Sequence, residues 1–498
     1  MPTWWALALG AAGVLCGCGA APDRKPRSGP PDVILVSMDT LRADRLGAYG
    51  NKDGLTPNLD RFAGESIVFE HAYSQATTTA PSHAAMFSGH YPSEQTSTAR
   101  QPEFGKDKPL IGEVLRHYEY QTAAFVGGAD LNPHMGMTAG FDTYHSPRDF
   151  GSLWHTIPGA LTWMRQRDPS RPFFAFVHGY DAHARYLKPA PYGYAHADAS
   201  YVGVGQDAAR SAPWRIIDGQ FYPDLDAFMR VNEMFLRPRD SVAKAKLLEF
   251  GSAGVAPLVP VEQADLDIVR GTYDGATMWG DAQFGAFMAG LHDLGLLDST
   301  VIVMMSDHGE QLGEYGLVQH CCGIHDEETH VPLMVRLPGA MGGGRRVSDP
   351  VGLIDVMPTI VELAGGKIPS GTHGQSLVPA LRGEPFTPRT EVYTQGDDRM
   401  RSVSARSLHG RMTYTGVPST TALLPDLVEA ARLDGPAFWA GEGEGAEGAI
   451  DAAERVRLRD ALVVWLRSLT VSPKERPDEL PASLRDELRK HGYFDVAP

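Results

Sequence analysis

The run Thr77-Thr78-Thr79-Ala80-Pro81-Ser82-His83 sets hydroxyls beside a proline suited to the first turn of a helix. A hydroxyl there meets free backbone N–H groups and the positive end of the helix dipole. Both favour a bound anion and stabilise an alkoxide. Alone, such a threonine reads as an ordinary helix cap. Two further stretches shift the balance: Asp39 follows the aliphatic run Asp32 to Met38, and Asp307-His308-Gly309-Glu310 follows Thr300 to Met305. A single aspartate at a strand end also reads as a cap. Carboxylates and an imidazole gathered in one crevice instead suit a divalent cation. A cation touching Thr79 would lower the pKa of its hydroxyl and make it a nucleophile.

These residues need a scaffold that brings distant segments together. Near-continuous apolar runs at Asp32 to Met38, Thr122 to Val126, Phe173 to Val177, Thr300 to Met305 and Pro332 to Leu337 read as strands buried on both faces. Helix-like stretches, such as Pro109 to His117 and Gly275 to Leu297, lie between them. The alternation predicts a mostly parallel α/β sheet with helices on both faces. Ligands of such sheets bind beyond the carboxyl ends of the strands, where Asp39 and Asp307 fall. Residues 187 to 264 interrupt the rhythm and predict a helical insertion over the site. From Glu391 the texture changes to short antiparallel strands (EVYTQ, RMTYTG) followed by helix, a smaller C-terminal α+β subdomain. Gly441 to Gly448 is low-complexity and reads as a loop.

Composition narrows the function. The 498 residues carry a formal net charge of −16, which argues against a nucleic-acid partner. Four cysteines, Cys16, Cys18, Cys321 and Cys322, make no disulfide scaffold. The adjacent pair Cys321-Cys322 reads as two thiols or a strained disulfide. Trp4 to Leu15 is an apolar run too short to span a bilayer, as in a secretory signal. It ends in Leu15-Cys16-Gly17-Cys18, which resembles a bacterial lipobox and predicts lipidation at Cys18. Residues 1 to 18 are then a signal peptide and 19 to 31 a flexible tether, with a plain signal or an uncleaved anchor as alternatives. The expected location is the cell envelope, with the membrane met only through the lipid anchor.

Taken in order, the motifs resemble the sulfatase-like branch of the alkaline phosphatase superfamily. The resemblance rests on Asp39 with Leu41-Arg42-Ala43-Asp44-Arg45-Leu46-Gly47-Ala48-Tyr49-Gly50, then Thr56-Pro57-Asn58-Leu59-Asp60. Thr79-Ala80-Pro81-Ser82-His83 is similar to the signature C/S-x-P-S-R, and Asp307-His308-Gly309-Glu310 to a metal-binding motif. Val331-Pro332-Leu333, Asp355-Val356-Met357-Pro358-Thr359 and Gly374-Gln375-Ser376-Leu377 match later landmarks, with a terminal echo at Leu488 to Tyr493. The resemblance implies an alkaline-phosphatase-like fold, with a catalytic domain over residues 32 to 385 and the subdomain over 386 to 498.

It further implies an ester hydrolase with one divalent cation held by Asp39, Thr79, Asp307 and His308. The family's second aspartate is here Thr40, and its late Asp-Asn is here Asp307-His308. The histidine tilts the metal from calcium towards manganese or zinc. Thr79 stands where sulfatases convert Cys or Ser to formylglycine, so no formylglycine is expected. By analogy with threonine nucleophiles of the superfamily, Thr79 attacks phosphorus directly. His83 replaces the signature's arginine at a substrate-binding position. His183 and His320 are the expected proton donors, and Asp181 and His325 further substrate-binding candidates. Asp181 and His183 are also candidates for a second metal site. The expected substrate is a small-molecule, glycan or lipid ester of phosphoric or sulfuric acid. The alternatives are a phosphoethanolamine-type transferase and a non-catalytic binding lipoprotein.

Overall fold

The computed structural model describes residues 29–94, 108–202, 214–217, 220–222, 259–260, 262–314, 317–320, 323–396, 402–415, 438–441 and 452–469. The leader with Cys18, the pair Cys321 and Cys322, almost all of the 441–448 loop and the terminal echo lie outside the described residues.

Nine strands make the central sheet. In chain order they are β1 (Asp32–Met38), β2 (Ile67–Tyr73), β3 (Gln121–Phe125), β4 (Thr143–His145), β5 (Phe173–Gly179), β6 (Thr300–Met305), β7 (His330–Val331), β8 (Leu333–Arg336) and β9 (Arg346–Gly352). Their order is β7-β2-β8-β6-β1-β5-β3-β4, with β9 also paired to β2. β1 lies between β5 and β6 and is parallel to both, while β8 runs antiparallel to β6 and β2. Register sets Ser37 beside His178 on one side and Met305 on the other. The segments that follow β1, β5 and β6 therefore emerge side by side at one rim.

The pleat divides the core. Val33 and Leu35 face one layer with Phe174, Phe176, Val301 and Val303, under the helices Thr79–Ser88, Ile111–His117 and Val356–Leu363. Ile34, Val36 and Met38 face the other with Ala175, Val177, Ile302 and Met304, under Pro57–Gly64, Leu153–Gln166 and Gln263–Asp293. Burial on both faces is why these strands read as unbroken apolar runs instead of alternating ones. Each fully buried aliphatic or aromatic side chain contributes roughly 1.5–3 kcal/mol of transfer free energy.

Three expectations need correction. β2 (IVFEHAY) was not foreseen, because Glu70 and His71 break its apolar run where the strand is only partly buried. The helix expected over Gly275 to Leu297 runs instead from Gln263 to Asp293. In the insertion, the described pieces Trp214–Ile217, Gln220–Tyr222 and Val259–Pro260 are strands, not helix. They pair antiparallel in a small sheet with Leu317–Gln319 and Gln311–Leu312.

The C-terminal sheet has four antiparallel strands: β10 (Val392–Gln395), β11 (Ser402–Ser407), β12 (Gly410–Thr415) and β13 (Phe438–Gly441). The helix Ala452–Ser468 packs on it through Leu458, Leu462, Trp465 and Leu466. β10 reaches the main body. Gln395 N–H donates to the Gln75 carbonyl (2.9 Å), Thr394 Oγ1 to the Ser74 carbonyl (2.6 Å), and a parallel bridge pairs Ala76 with Gln395.

Candidate active site

Thr79 is the first residue of its helix, behind an extended Thr78 whose side chain makes no cap bond. Pro81 is thus the third helical residue, not the first, and its missing N–H still falls among those that need no intrahelical partner. The Thr79 hydroxyl is turned away from a capping role. It donates to Asp39 Oδ2 (3.2 Å) and lies 3.5 Å from His308 Nε2. His308 donates from Nδ1 to the Gly309 carbonyl (2.9 Å), which leaves Nε2 facing Thr79. Asp39, Asp307 and His308 are all fully buried, and their ligand atoms lie within 4.8 Å of one another.

Backbone and hydroxyls hold Asp307 in place. Its Oδ1 accepts the Thr40 N–H (3.3 Å) and its carbonyl accepts Ser82 Oγ (2.7 Å). Thr40 takes a φ of 57°, a left-handed conformation that is costly for a β-branched residue. The Tyr273 hydroxyl, donating to the Thr40 carbonyl (2.7 Å), holds it there. The threonine that replaces the family's second aspartate thus offers a backbone donor to the other carboxylate.

Two carboxylates in one dry cavity cannot both ionise easily. Burial, and then the charge of Asp307, push Asp39 well above the usual carboxylate range. Burial would raise Asp307 too, but the imidazoles of His308, His83 and His178 outweigh it and hold Asp307 down at about 2. Asp39 Oδ1 and Asp307 Oδ2 are buried and accept no hydrogen bond within the described residues. Orphaned carboxylate oxygens that converge with an imidazole fit a divalent cation, which would relieve their repulsion.

The remaining candidates separate into two groups. His320 and His183 lie with the centre: ring centroids run from His308 to His320 (4.6 Å) and on to His183 (5.0 Å). His320 Nδ1 is 2.9 Å from Glu310 Oε1, and His183 Nδ1 donates to the Ala184 carbonyl (2.7 Å). His83, Asp181 and His325 each hold a local partner, although His83 Nδ1 also lies 3.5 Å from Asp307 Oδ2 and Asp181 Oδ1 accepts no hydrogen bond among the described residues. His83 is fully buried beneath Thr79, donating from Nδ1 to the Thr79 carbonyl (2.8 Å) and accepting at Nε2 from Ser37 Oγ (3.1 Å). Its bonds fix the nucleophile helix from below. Asp181 Oδ2 accepts the Leu153 N–H (2.7 Å) at the start of helix Leu153–Gln166, and burial raises its pKa to about 6. His325 Nδ1 accepts from Arg411 Nη2 of the C-terminal sheet (3.1 Å). Burial and then Arg411 lower its pKa to about 3, so it is neutral near pH 7.

Two further participants were not anticipated. His178 donates from Nε2 to Asp39 Oδ2 (3.2 Å) while its Nδ1 accepts the Gly127 N–H (3.4 Å). Its signal was a polar residue at the carboxyl end of an otherwise apolar strand. Glu310, raised to about 8 by burial, is tied to His320. In the sequence it stands only as the last residue of the Asp307-His308-Gly309-Glu310 motif.

A family model described as Sulfatase matches residues 31–366. The chain is 25% identical over 443 residues to a multifunctional alkaline phosphatase superfamily protein, PehA, of Trinickia caryophylli, covering 74% of this chain and 80% of that one. It is 25% identical over 417 residues to an N-acetylglucosamine-6-O-sulfatase of Bacteroides thetaiotaomicron, covering 73% of each. The phosphonate monoester hydrolase of Agrobacterium radiobacter shares the fold, with a TM-score of 0.62 at 18% identity over 88% of this chain and 95% of that one. The architecture is the alkaline-phosphatase-like one.

Proposed function

The chain belongs to the sulfatase family, and from that footing we propose that it hydrolyses sulfuric or phosphoric esters with Thr79 as the nucleophile. The observation that carries this is the Thr79 hydroxyl, bonded to Asp39 and beside His308 at a helix start where a mere cap would bond backbone N–H groups. Asp39, Asp307, His308 and Thr79 would hold a divalent cation, manganese or zinc by the imidazole in the set and calcium by the carboxylates. Bound there, such an ion withdraws charge from the ester oxygens and favours the ionised hydroxyl.

The protein's own groups account for the proton traffic. Asp39 Oδ2, which accepts the Thr79 hydroxyl hydrogen bond, takes the Thr79 proton. The new bond joins Thr79 Oγ1 to phosphorus or sulfur as the bond to the leaving oxygen breaks. His320, with His183 beside it, protonates that oxygen, and Glu310 fixes the ring that delivers the proton. Water then cleaves the ester on Thr79, giving one proton to the same histidine while Asp39 returns its proton to Thr79 Oγ1. Threonine is not converted to formylglycine, so this cycle starts from the unmodified side chain. Direct attack by an alkoxide suits phosphorus esters, including phosphonates, in small molecules, glycans or lipids, with sulfate esters the second substrate class. The enzyme would work in the cell envelope, anchored through Cys18. Among the described residues no helix is long and apolar enough to cross a membrane.

Initial rates on nitrophenyl phosphate, phosphodiester, phosphonate and sulfate esters test this. Thr79→Ala is expected to lose on the order of 10⁴-fold or more in kcat, as when other nucleophiles are deleted. Thr79→Ser should keep activity, and an acid-quenched reaction should show a phosphoryl adduct on Thr79. Undiminished turnover by Thr79→Ala would overturn the assignment.

A further inference from the structure

The helix Thr79–Ser88 ends in Gly89, in the left-handed conformation at φ 69°. The Gly89 carbonyl accepts two N–H groups, from His373 (2.9 Å) and Gly374 (3.0 Å), so the 373 loop lies against the chain that leaves the helix. Three side chains converge there. Glu94 Oε1 lies 3.0 Å from His373 Nε2 and Glu94 Oε2 lies 3.8 Å from His90 Nδ1. His90 and Glu94 are buried, whereas His373 keeps 28% of its side chain exposed. The two imidazole rings meet edge to face at 5.7 Å.

We propose that His90, Glu94 and His373 form a second metal site, for zinc or a similar transition-metal ion. Two imidazole nitrogens and one carboxylate oxygen are a zinc donor set. Ligand atoms about 2.0–2.1 Å from a tetrahedral ion lie roughly 3.3–3.4 Å apart. The two imidazoles face different oxygens of Glu94, at 3.0 and 3.8 Å, and with one ligand atom from each residue all three fall within 4.8 Å of one another. An ion here needs only small side-chain adjustments, and the partly exposed His373 gives it a way in. The site also rests on fixed supports. Glu94 Oε2 accepts the Tyr91 N–H (3.2 Å). The His373 carbonyl accepts Arg389 Nη2 (2.8 Å), and Arg389 is itself paired with Asp355 at 2.6 Å. The carboxyl end of a helix is the end that favours a cation. Ten residues of helix set this site about 15 Å from Thr79. Paired catalytic ions sit roughly 3.5–4 Å apart, so the role is a clamp, not chemistry. It joins the tail of the nucleophile helix to the segment that leads into the C-terminal sheet.

Two measurements decide the proposal. Crystals of the full chain grown with zinc should show anomalous density at the zinc edge between His90 Nδ1, Glu94 and His373 Nε2. Its absence beside an occupied catalytic centre would overturn the site. In solution, the cobalt-substituted protein should bind one more equivalent than His373→Ala, whose affinity at this site should fall at least about 100-fold. The lost equivalent should carry the absorption of tetrahedral cobalt, and His373→Cys should restore it. Equal stoichiometry in wild type and His373→Ala refutes the proposal, because His373 is then only a hydrogen-bond partner of Glu94. The crystal measurement needs no variant and stands even where a substitution impairs folding.

Discussion

The helix Thr79–Ser88 carries imidazoles and carboxylates at both ends, and the two ends are arranged on opposite terms. At the start, Asp39 and Asp307 crowd each other with an oxygen apiece accepting no hydrogen bond, held in place by a left-handed Thr40. At the end, one carboxylate lies between two imidazoles, and the neighbouring Asp355 is saturated by Gly352 N–H, Gln375 N–H and the Arg389 guanidinium. One end stores unfavourable electrostatics and the other has few left. Surplus charge marks where a substrate is to be bound, whereas the saturated Asp355 marks where the chain is fastened.

That contrast can be pressed at several points. Asp39→Asn should lower turnover by at least about 10³-fold, since it removes the group that accepts the Thr79 proton. The same change should stabilise the metal-free protein by about 1–2 kcal/mol in urea unfolding, because it ends the repulsion with Asp307. A loss of stability instead would mean that the start of the helix is not strained. Arg389→Met should do the reverse. Breaking its buried pair with Asp355 should cost about 3–5 kcal/mol of stability, while kcat of the folded fraction holds. His320→Asn should fall between, slowing esters with poor leaving groups about 10²–10³-fold and nitrophenyl esters far less. Equal losses on both would remove His320 from the proton-donor role.

The smallest expected effect is in acid. His325 has a folded pKa of about 3 against an ordinary value of 6.5, so the unfolded chain takes up its proton first as pH falls. Stability from this residue is present above pH 6.5 and is lost between there and about pH 3. His325→Asn should therefore narrow the difference in melting temperature between pH 7 and pH 4. An unchanged difference would show that burial and Arg411 do not keep this imidazole neutral.

Much of the frame was legible in the chain. Strands buried on two faces leave continuous apolar runs, so β1 and β6 were bounded to the residue, and with them the positions of Asp39 and Asp307. What stayed hidden depends on direction or distance. The identity of His83, Asp181 and His325 was plain, but not that each is turned to a local partner. β2 escaped because Glu70 and His71 interrupt its run. The approach of Glu94 to His373 joins residues 279 apart through a loop that no periodicity foretells. Thr40's backbone conformation has no signature in residue type, since threonine is a poor choice for it.

The seam between β10 and the Ser74–Ala76 segment bears on how the protein is made. Gln395 and Thr394 fasten the stretch that leads directly into Thr79. Chains fold from the amino end as they leave the ribosome. The central sheet can therefore assemble, with Thr329 and Ile354 already holding Ser74 and Gln75, before the last bonds to that stretch form, which needs nearly four-fifths of the chain. A chain terminated before β10 would carry every residue of the active centre but lack the two bonds by which Thr394 and Gln395 hold the approach to Thr79.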